Sequence, residues 1–287
     1  MAVKQHKPTT GRHDTPKRWL YFFLAAAAVA FIFPFYFMVV GAFQENPTNS
    51  PSELFPTSGW TIDNFIAINS RIDLGGSLLN SLIFTGGVLI GTLTFGLCAG
   101  YALSRLNWRG RGAVFTVMIG VQAIPFQLLM IPLYVQIART YGLGDTYLGM
   151  ILPFFINTTA VFIFRQFFLS LPESLFEAAR IDGAGEFRIL LTIALPLVRP
   201  AIATTTLVTF IGPWNEFLWP FLITKDSSLQ PLAVTLANYI SNVSKTAPNP
   251  NGAILAGAAA LAFPVVILFC LFQRWFRPSD MSTGIKG

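Results

Sequence analysis

Glu177-Ala178-Ala179-Arg180-Ile181-Asp182-Gly183 begins the charged, glycine-punctuated core of a segment, residues 170 to 198, between two apolar stretches of membrane length. Its chemistry is that of gripping rather than of bond making. The paired alanines leave a shallow face for a partner's groove, and Glu177, Arg180, Asp182 and Arg188 offer charged contacts around it. Ser170 with Glu173, and Ser174 with Glu177, give two Ser-x-x-Glu capping patterns, and Pro172 suits a first helical turn. A short helix is therefore predicted from about Ser170. Gly183 supplies a left-handed stop, and Phe187, Leu190, Leu191 and Ala194 recur at helical spacing until Pro196 breaks the run. On these residues alone, an ordinary cytoplasmic loop with capped helices fits as well as a docking element.

Much catalytic and energy-converting chemistry is missing. No Gly-x-x-x-x-Gly-Lys-Ser/Thr sequence occurs and no lysine directly follows a glycine, so the chain has no phosphate-cradling loop and cannot hydrolyse ATP alone. His6 and His13 both lie in the polar N-terminal tail, away from any membrane-embedded haem or quinone role. The spans carry no relay of acidic groups for protons. Cys98 and Cys270 fall in different spans without metal-ligand spacing and read as packing residues. Energy must come from a partner.

Polar residues inside apolar runs are the other candidates. Asn80, Gln122, Gln127, Asn157, Asn215 and Glu216 lie where lipid exposure is costly, so they are expected to face the bundle interior or a wet cavity. Glu216 stands out, about 24 Å above a helix start near Pro200 and toward the outer leaflet. Gly212-Pro213 should kink that helix, and Trp214 and Trp219 suit a membrane interface. Two readings stand for Asn215 and Glu216: hydrogen bonds between helices beside an aromatic belt, or the lining of an outer gate or solute path. Gln122 and Asn157 are further candidates for that path. Gly87-x-x-x-Gly91, Gly96-x-x-x-Gly100 and the small residues around Gly257 mark close packing, either within the chain or against another subunit.

These residues must be positioned by membrane helices. The 287-residue chain is 53% hydrophobic and 11% charged, far from soluble averages. Spans of about 20 residues fit near 19–43, 78–103, 112–138, 149–169, 199–223 and 252–276. The expected fold class is an all-α membrane protein with six transmembrane helices. The run from Trp19 to Phe43 exceeds a secretory h-region and reads as an uncleaved first helix. The organisation is a tail at 1–18, a first helix at 19–43, an external segment at 44–77, a transmembrane core at 78–276 containing loop 170–198, and a tail at 277–287. A second external segment covers 224–251. Lysine and arginine cluster on one side of these spans, before 19, at 105–111, at 180–199 and after 273, which puts both termini and the 170–198 loop in the cytoplasm. The net charge of +6 then reflects an anionic inner leaflet and not a nucleic-acid surface.

The insert pattern of Glu177-Ala178-Ala179, Gly183, Ile193 and Leu195-Pro196 resembles the EAA loop of ABC importer membrane subunits. Asn80-Ser81-Leu82, Gly100-Tyr101-Ala102-Leu103-Ser104-Arg105, Ile131-Pro132-Leu133-Tyr134, Ile151-Leu152-Pro153 and Trp214-Asn215-Glu216-Phe217-Leu218-Trp219-Pro220 are similar to the maltose-permease G-type subunits of carbohydrate importers. The likeness covers roughly 19–287. It departs at Pro213, where the family has a small residue, and at 277–283, although Gly284-Ile285-Lys286-Gly287 keeps the family's tail type. The resemblance implies a type I importer permease fold in a prokaryotic inner membrane and a sugar or sugar derivative as cargo. It implies a second, F-type permease subunit, two ATPase subunits and an extracytoplasmic solute-binding protein as partners. Glu177, Ala178, Ala179, Arg180, Asp182 and Gly183 would then couple to the ATPases, with Gly284 and Lys286 as tail contacts. No cofactor is expected on this chain, since ATP and magnesium belong to the ATPases. A secondary carrier or channel would need inverted repeats or a charged pathway, which the sequence lacks. A permease for a non-sugar solute is the other alternative.

Overall fold

The computed structural model describes residues 18–47, 59–243 and 249–273. Among these the chain is helical, with one isolated bridge between Gln44 and Trp60 in place of any strand. Only helices satisfy every backbone amide within a single segment, which lipid demands of an open chain. Three helices are single and long enough to cross a membrane: α1 (Arg18–Ala42), α3 (Leu74–Arg105) and a last helix, Pro250–Phe272.

The other expected spans are broken. α4 (Arg111–Val121) turns by 92° into the stretch Phe126–Thr140, which contains α5 (Phe126–Tyr134). α6 (Tyr147–Ile151), continued to Phe154, turns by 49° into α7 (Thr158–Ser170). Residues Glu186–Leu197 turn by 79° into α11 (Arg199–Asn215). Counting each bent pair once gives up to six spans. The expected continuous span at 199–223 is corrected: α11 stops at Asn215 and α12 (Leu218–Ile223) follows as a separate helix. Apolar length registers how much chain lies in lipid and is blind to a change of direction.

α3 organises the rest. α2 (Asp63–Ile72) precedes it, and its buried Asn64 donates from Nδ2 to the carbonyls of Ala42 and Gln44 at 3.0 and 2.7 Å, tying α2 to the end of α1. Along α3 lie three apolar clusters. Leu74 and Leu78 touch the first, with Ala42, Ile68, Leu232 and Tyr239. Phe84 and Val88 enter the second with Met150, Trp219 and Ile223, and Tyr101 enters the third with Phe164, Phe168, Phe176 and Ile189. The glycine stripe of α3 is used inside this chain: Gly87, Gly91, Gly96 and Gly100 face Ile151, Phe155, Ala160 and Phe164. A Cβ at Gly100 would stand 2.7 Å from that of Phe164, closer than packed carbons approach.

Two further expectations are corrected here. Trp214 and Trp219 are fully buried, not interfacial. Their ring nitrogens donate to Leu261 and Met150 carbonyls at 2.8 and 3.1 Å, which makes a buried indole affordable. Cys98 and Cys270, read as packing residues, are exposed on the chain.

Candidate functional site

The 170–198 segment is a folded arm. α7 runs through Ser170, whose Oγ donates back to the Phe167 carbonyl at 2.7 Å, so Ser170 closes one helix and does not open the next. α8 (Glu173–Ile181) starts after Pro172 instead. At its end Gly183 adopts φ 77°, its N–H reaches the Arg180 carbonyl and that of Ala184 the Ala179 carbonyl, both at 3.0 Å. This pair of bonds is the Schellman arrangement that a left-handed glycine makes possible. α9 (Glu186–Ile189) follows, then a wider π-helical turn, Leu190–Ala194, and α10 (Leu195–Leu197). The wide turn makes room for the Pro196 ring, so the helix passes through that proline and bends two residues later at Val198.

Burial splits the predicted faces. Ala179 is buried with Phe176, while Glu177 and Ala178 are exposed, so the alanine pair does not form one open face. Leu190 and Ala194 are buried, yet Phe187 is 70% exposed and Leu191 is also open. With Ile181 at 84% exposure, the arm presents two large apolar side chains beside Glu177, Asp182 and Arg188.

Arg180 is turned inward, contrary to its expected place on the contact rim. Its Nε donates to Glu186 at 2.7 Å, its Nη2 to the Arg105 carbonyl at 3.2 Å, and Nη1 lies 3.6 Å from Glu173. The Glu186 hydrogen bond, ahead of every other influence, raises the Arg180 pKa, so its charge is fixed. The other Glu186 oxygen accepts from the Tyr101 hydroxyl at 2.6 Å. Arg105, whose side chain is 4% exposed, donates to Glu173, to the Phe168 carbonyl and, at 2.6 Å, to that of Leu171, with its guanidinium 4.2 Å above the Phe176 ring. A clasp of Tyr101, Arg105, Glu173, Arg180 and Glu186 therefore joins the arm to α3. Sequence reasoning used Arg105 as a topology charge and, with Tyr101, within a run that carries the family likeness, and assigned neither a contact. The signal available was Tyr101 and Arg105 one helical turn apart at the end of an apolar helix.

The four path candidates all sit at helix breaks. Gln122 follows α4 and donates to Thr159 Oγ1 at 2.8 Å, which brings the first break against the start of α7. Asn157 caps α7, its Oδ1 accepting from the Ala160 N–H at 3.1 Å. Asn215 is exposed and bonds locally, to the Ile211 carbonyl at 2.9 Å. Glu216 is not a mid-helix carboxylate: it is the break, with extended backbone, and its Oε1 accepts from the Leu218 and Trp219 N–H groups at 3.1 and 3.3 Å. The break lies three residues beyond the expected Gly212-Pro213 position. Phe126 packs 5.1 Å from Phe154 and 6.1 Å from Trp219, joining all three regions. Asn80 is buried and structural, bonded to the Ser228 and Gln230 carbonyls and to the Tyr147 hydroxyl. Gly284 and Lys286 lie outside the described residues.

The family described as binding-protein-dependent transport system inner membrane component matches residues 92–279, from mid α3 through the arm and all three breaks. The chain belongs to that family. An arabinooligosaccharides transport system permease protein of Halalkalibacterium halodurans is 34% identical over 271 residues, covering 91% of this chain and 94% of its own. A melibiose/raffinose/stachyose import permease protein of Bacillus subtilis is 32% identical over 271 residues, covering 92% and 94%. An sn-glycerol-3-phosphate transport system permease protein of Yersinia pestis is 34% identical over 208 residues, covering 72% and 73%. In structure, a chain of a bacterial ABC transporter involved in the import of the acidic polysaccharide alginate matches at TM-score 0.79 over 94% of this chain and 100% of that one, at 22% identity, which speaks to fold alone. As an inner membrane component of a binding-protein-dependent system, this chain is a multi-pass transport subunit and not a catalytic one. The chain thus has the type I permease fold.

Proposed function

We propose that the chain is the permease subunit of an ATP-driven importer for a sugar or sugar derivative, coupled to partner ATPases through residues 170–198. The observation that carries the coupling half of this reading is the clasped arm: Glu177, Ala178, Ile181, Asp182 and Phe187 stand outward on a platform fastened to α3. Exposed apolar side chains ringed by charge are unfavourable in water and gain when a partner covers them. The arabinooligosaccharide and melibiose relatives support carbohydrate as the cargo class. The glycerol-3-phosphate relative favours a phosphorylated polyol as the second reading.

Both termini and the arm face the cytoplasm in this proposal, on the distribution of basic residues. A second, F-type permease covers the exposed Gln122, Gln127 and Asn215, so that the solute path runs between the two subunits with Asn157 and Glu216 near it. A solute-binding protein meets the 44–77 and 224–251 segments outside, and Gly284 and Lys286 extend contact to the ATPase pair. Closure of the ATPases on ATP and magnesium moves the arm as a rigid piece, and the broken helices flex to open the path outward.

The test is uptake of radiolabelled arabinotriose, melibiose, raffinose and sn-glycerol 3-phosphate into vesicles holding the complete complex, with and without binding protein and ATP. Accumulation of a neutral sugar that needs both supports the reading. Uptake independent of ATP overturns it, and uptake of the phosphate ester alone selects the second reading.

A further inference from the structure

At the end of α3 remote from the clasp, a cleft of about 570 Å³ opens between Asn69–Asn80 and Ser227–Asn242. A smaller one of about 320 Å³ adjoins it, and Ser70, Arg71 and Tyr239 line both. The larger cleft has Ile72 as its one aliphatic side chain; the rest of its wall is amide, hydroxyl, glycine and one opposed pair of charges, Arg71 and Asp73. It includes neither the clasp nor any residue at the three helix breaks.

The wall has unused hydrogen-bonding capacity of both kinds. Arg71 forms no hydrogen bond or ion pair among the described residues. Asn69 uses its Oδ1 on the Leu74 N–H at 3.0 Å and keeps its amide N–H groups free. Asp73 uses Oδ1 on the Gly76 N–H at 3.1 Å, leaving Oδ2, and Asn238 uses Nδ2 on Gln230 at 3.2 Å, leaving Oδ1. Tyr239, 2% exposed, is buried in the cluster with Ile68, Leu232, Leu236 and Ala256 and lines the cleft, and its hydroxyl has no hydrogen-bond partner among the described residues. Burial above all raises the Tyr239 pKa, which keeps that hydroxyl neutral and able both to donate and to accept.

We propose that this cleft is a subsite on the outer face of the chain for one unit of a neutral, multiply hydroxylated solute, held by Asn69, Arg71, Asp73, Asn238 and Tyr239. The proposal rests on the sugar-importer reading and its orientation. Planar amide, guanidinium and carboxylate groups match vicinal hydroxyls, each of which donates once and accepts twice. The one cation and one anion cancel, which disfavours an ionic cargo. Protein partners anchor through clusters of aromatic and apolar side chains, whereas this wall has Ile72 and the mostly covered Tyr239 among thirteen polar, charged or glycine residues. With the tyrosine ring face covered, recognition is by hydrogen bonds and not by stacking.

The experiment uses the complete complex in nanodiscs without binding protein. Asn242→Cys on a Cys98→Ala, Cys270→Ala background carries an environment-sensitive fluorophore. It is titrated with arabinotriose, melibiose, raffinose and, separately, sn-glycerol 3-phosphate. A saturable response to a neutral sugar is expected, weakened about three- to tenfold by Tyr239→Phe and abolished by the bulky Ser227→Trp, with the yield and thermal stability of the complex unchanged in both. No saturable response, a response indifferent to Ser227→Trp, or a response to glycerol 3-phosphate alone overturns the proposal. ATP-driven sugar uptake without a fluorophore response sinks the cleft alone, whereas a response without uptake sinks the importer reading.

Discussion

The Tyr101 hydroxyl and the Glu186 carboxylate meet at 2.6 Å across 85 residues of sequence, joining the end of α3 to the first turn of α9. Glu186 holds Arg180 with its other oxygen. One carboxylate therefore fixes both halves of the arm, on either side of the Gly183 corner, to the same helix.

Glu186→Ala should loosen that attachment while leaving the apolar cluster beneath it intact. Because the carboxylate is 40% exposed, the stability cost should be modest, about 1 kcal/mol. ATP hydrolysis of the assembled complex should become less dependent on binding protein. Tight stimulation, as in the parent complex, would remove Glu186 from coupling.

Arg105→Ala should be more damaging to folding, about 2 to 3 kcal/mol, because the half-exposed Glu173 is left to water while the Phe168 and Leu171 carbonyls lose their donor. Arg105→Lys should rescue poorly, since an ammonium lacks the planar fork that reaches these acceptors together. Thermal unfolding and complex yield in detergent measure both, and full rescue by lysine would contradict the assigned geometry.

Gly183→Leu places a side chain at φ 77°, a strain of about 1 to 2 kcal/mol. Gly183→Pro in addition removes the N–H that reaches Arg180. Both should lower uptake at near-normal complex yield, as should Glu177→Lys through the outward rim. Normal ATP-driven uptake by all three would exclude a central role for the corner.

Glu216→Gln preserves an oxygen able to accept from Leu218 and Trp219, so α12 should stay capped, whereas Glu216→Ala should lose about 1 kcal/mol. Unchanged uptake kinetics in the glutamine variant would identify the cap as the whole role of the residue. Altered uptake at normal yield would add a charge-dependent part in the path.

For topology, a cysteine at Asp182 should be shielded from an impermeant maleimide added to intact cells and one at Lys225 should react. The reverse pattern would invert the orientation.

The apolar runs made the membrane-embedded helices legible, and Gly183 announced its own left-handed corner. The breaks were not legible as breaks, because Gln122, Asn157 and Glu216 carry the same polarity whether they line a path or cap a helix end. Which charge turns inward was equally hidden: Arg180 and Arg188 look alike in the arm, and only the fold brings Glu186, Glu173 and the Arg105 carbonyl around the first. The glycine stripe of α3 left its partner open until Phe155, Ala160 and Phe164 filled it.

α3 joins the clasp to the cleft beside Asp73, and it does so as 32 helical residues without a break while three other helix pairs are bent. A rod of about 45 Å converts angle into travel. Pivoting by only 5° about Arg105, it would carry Asp73 sideways by about 4 Å, comparable to the width of a helical turn. Under the proposed coupling, gearing of this kind would let a small closure at the clasp reshape the far end of α3, and it would depend on residues 74 to 105 staying one unbroken helix.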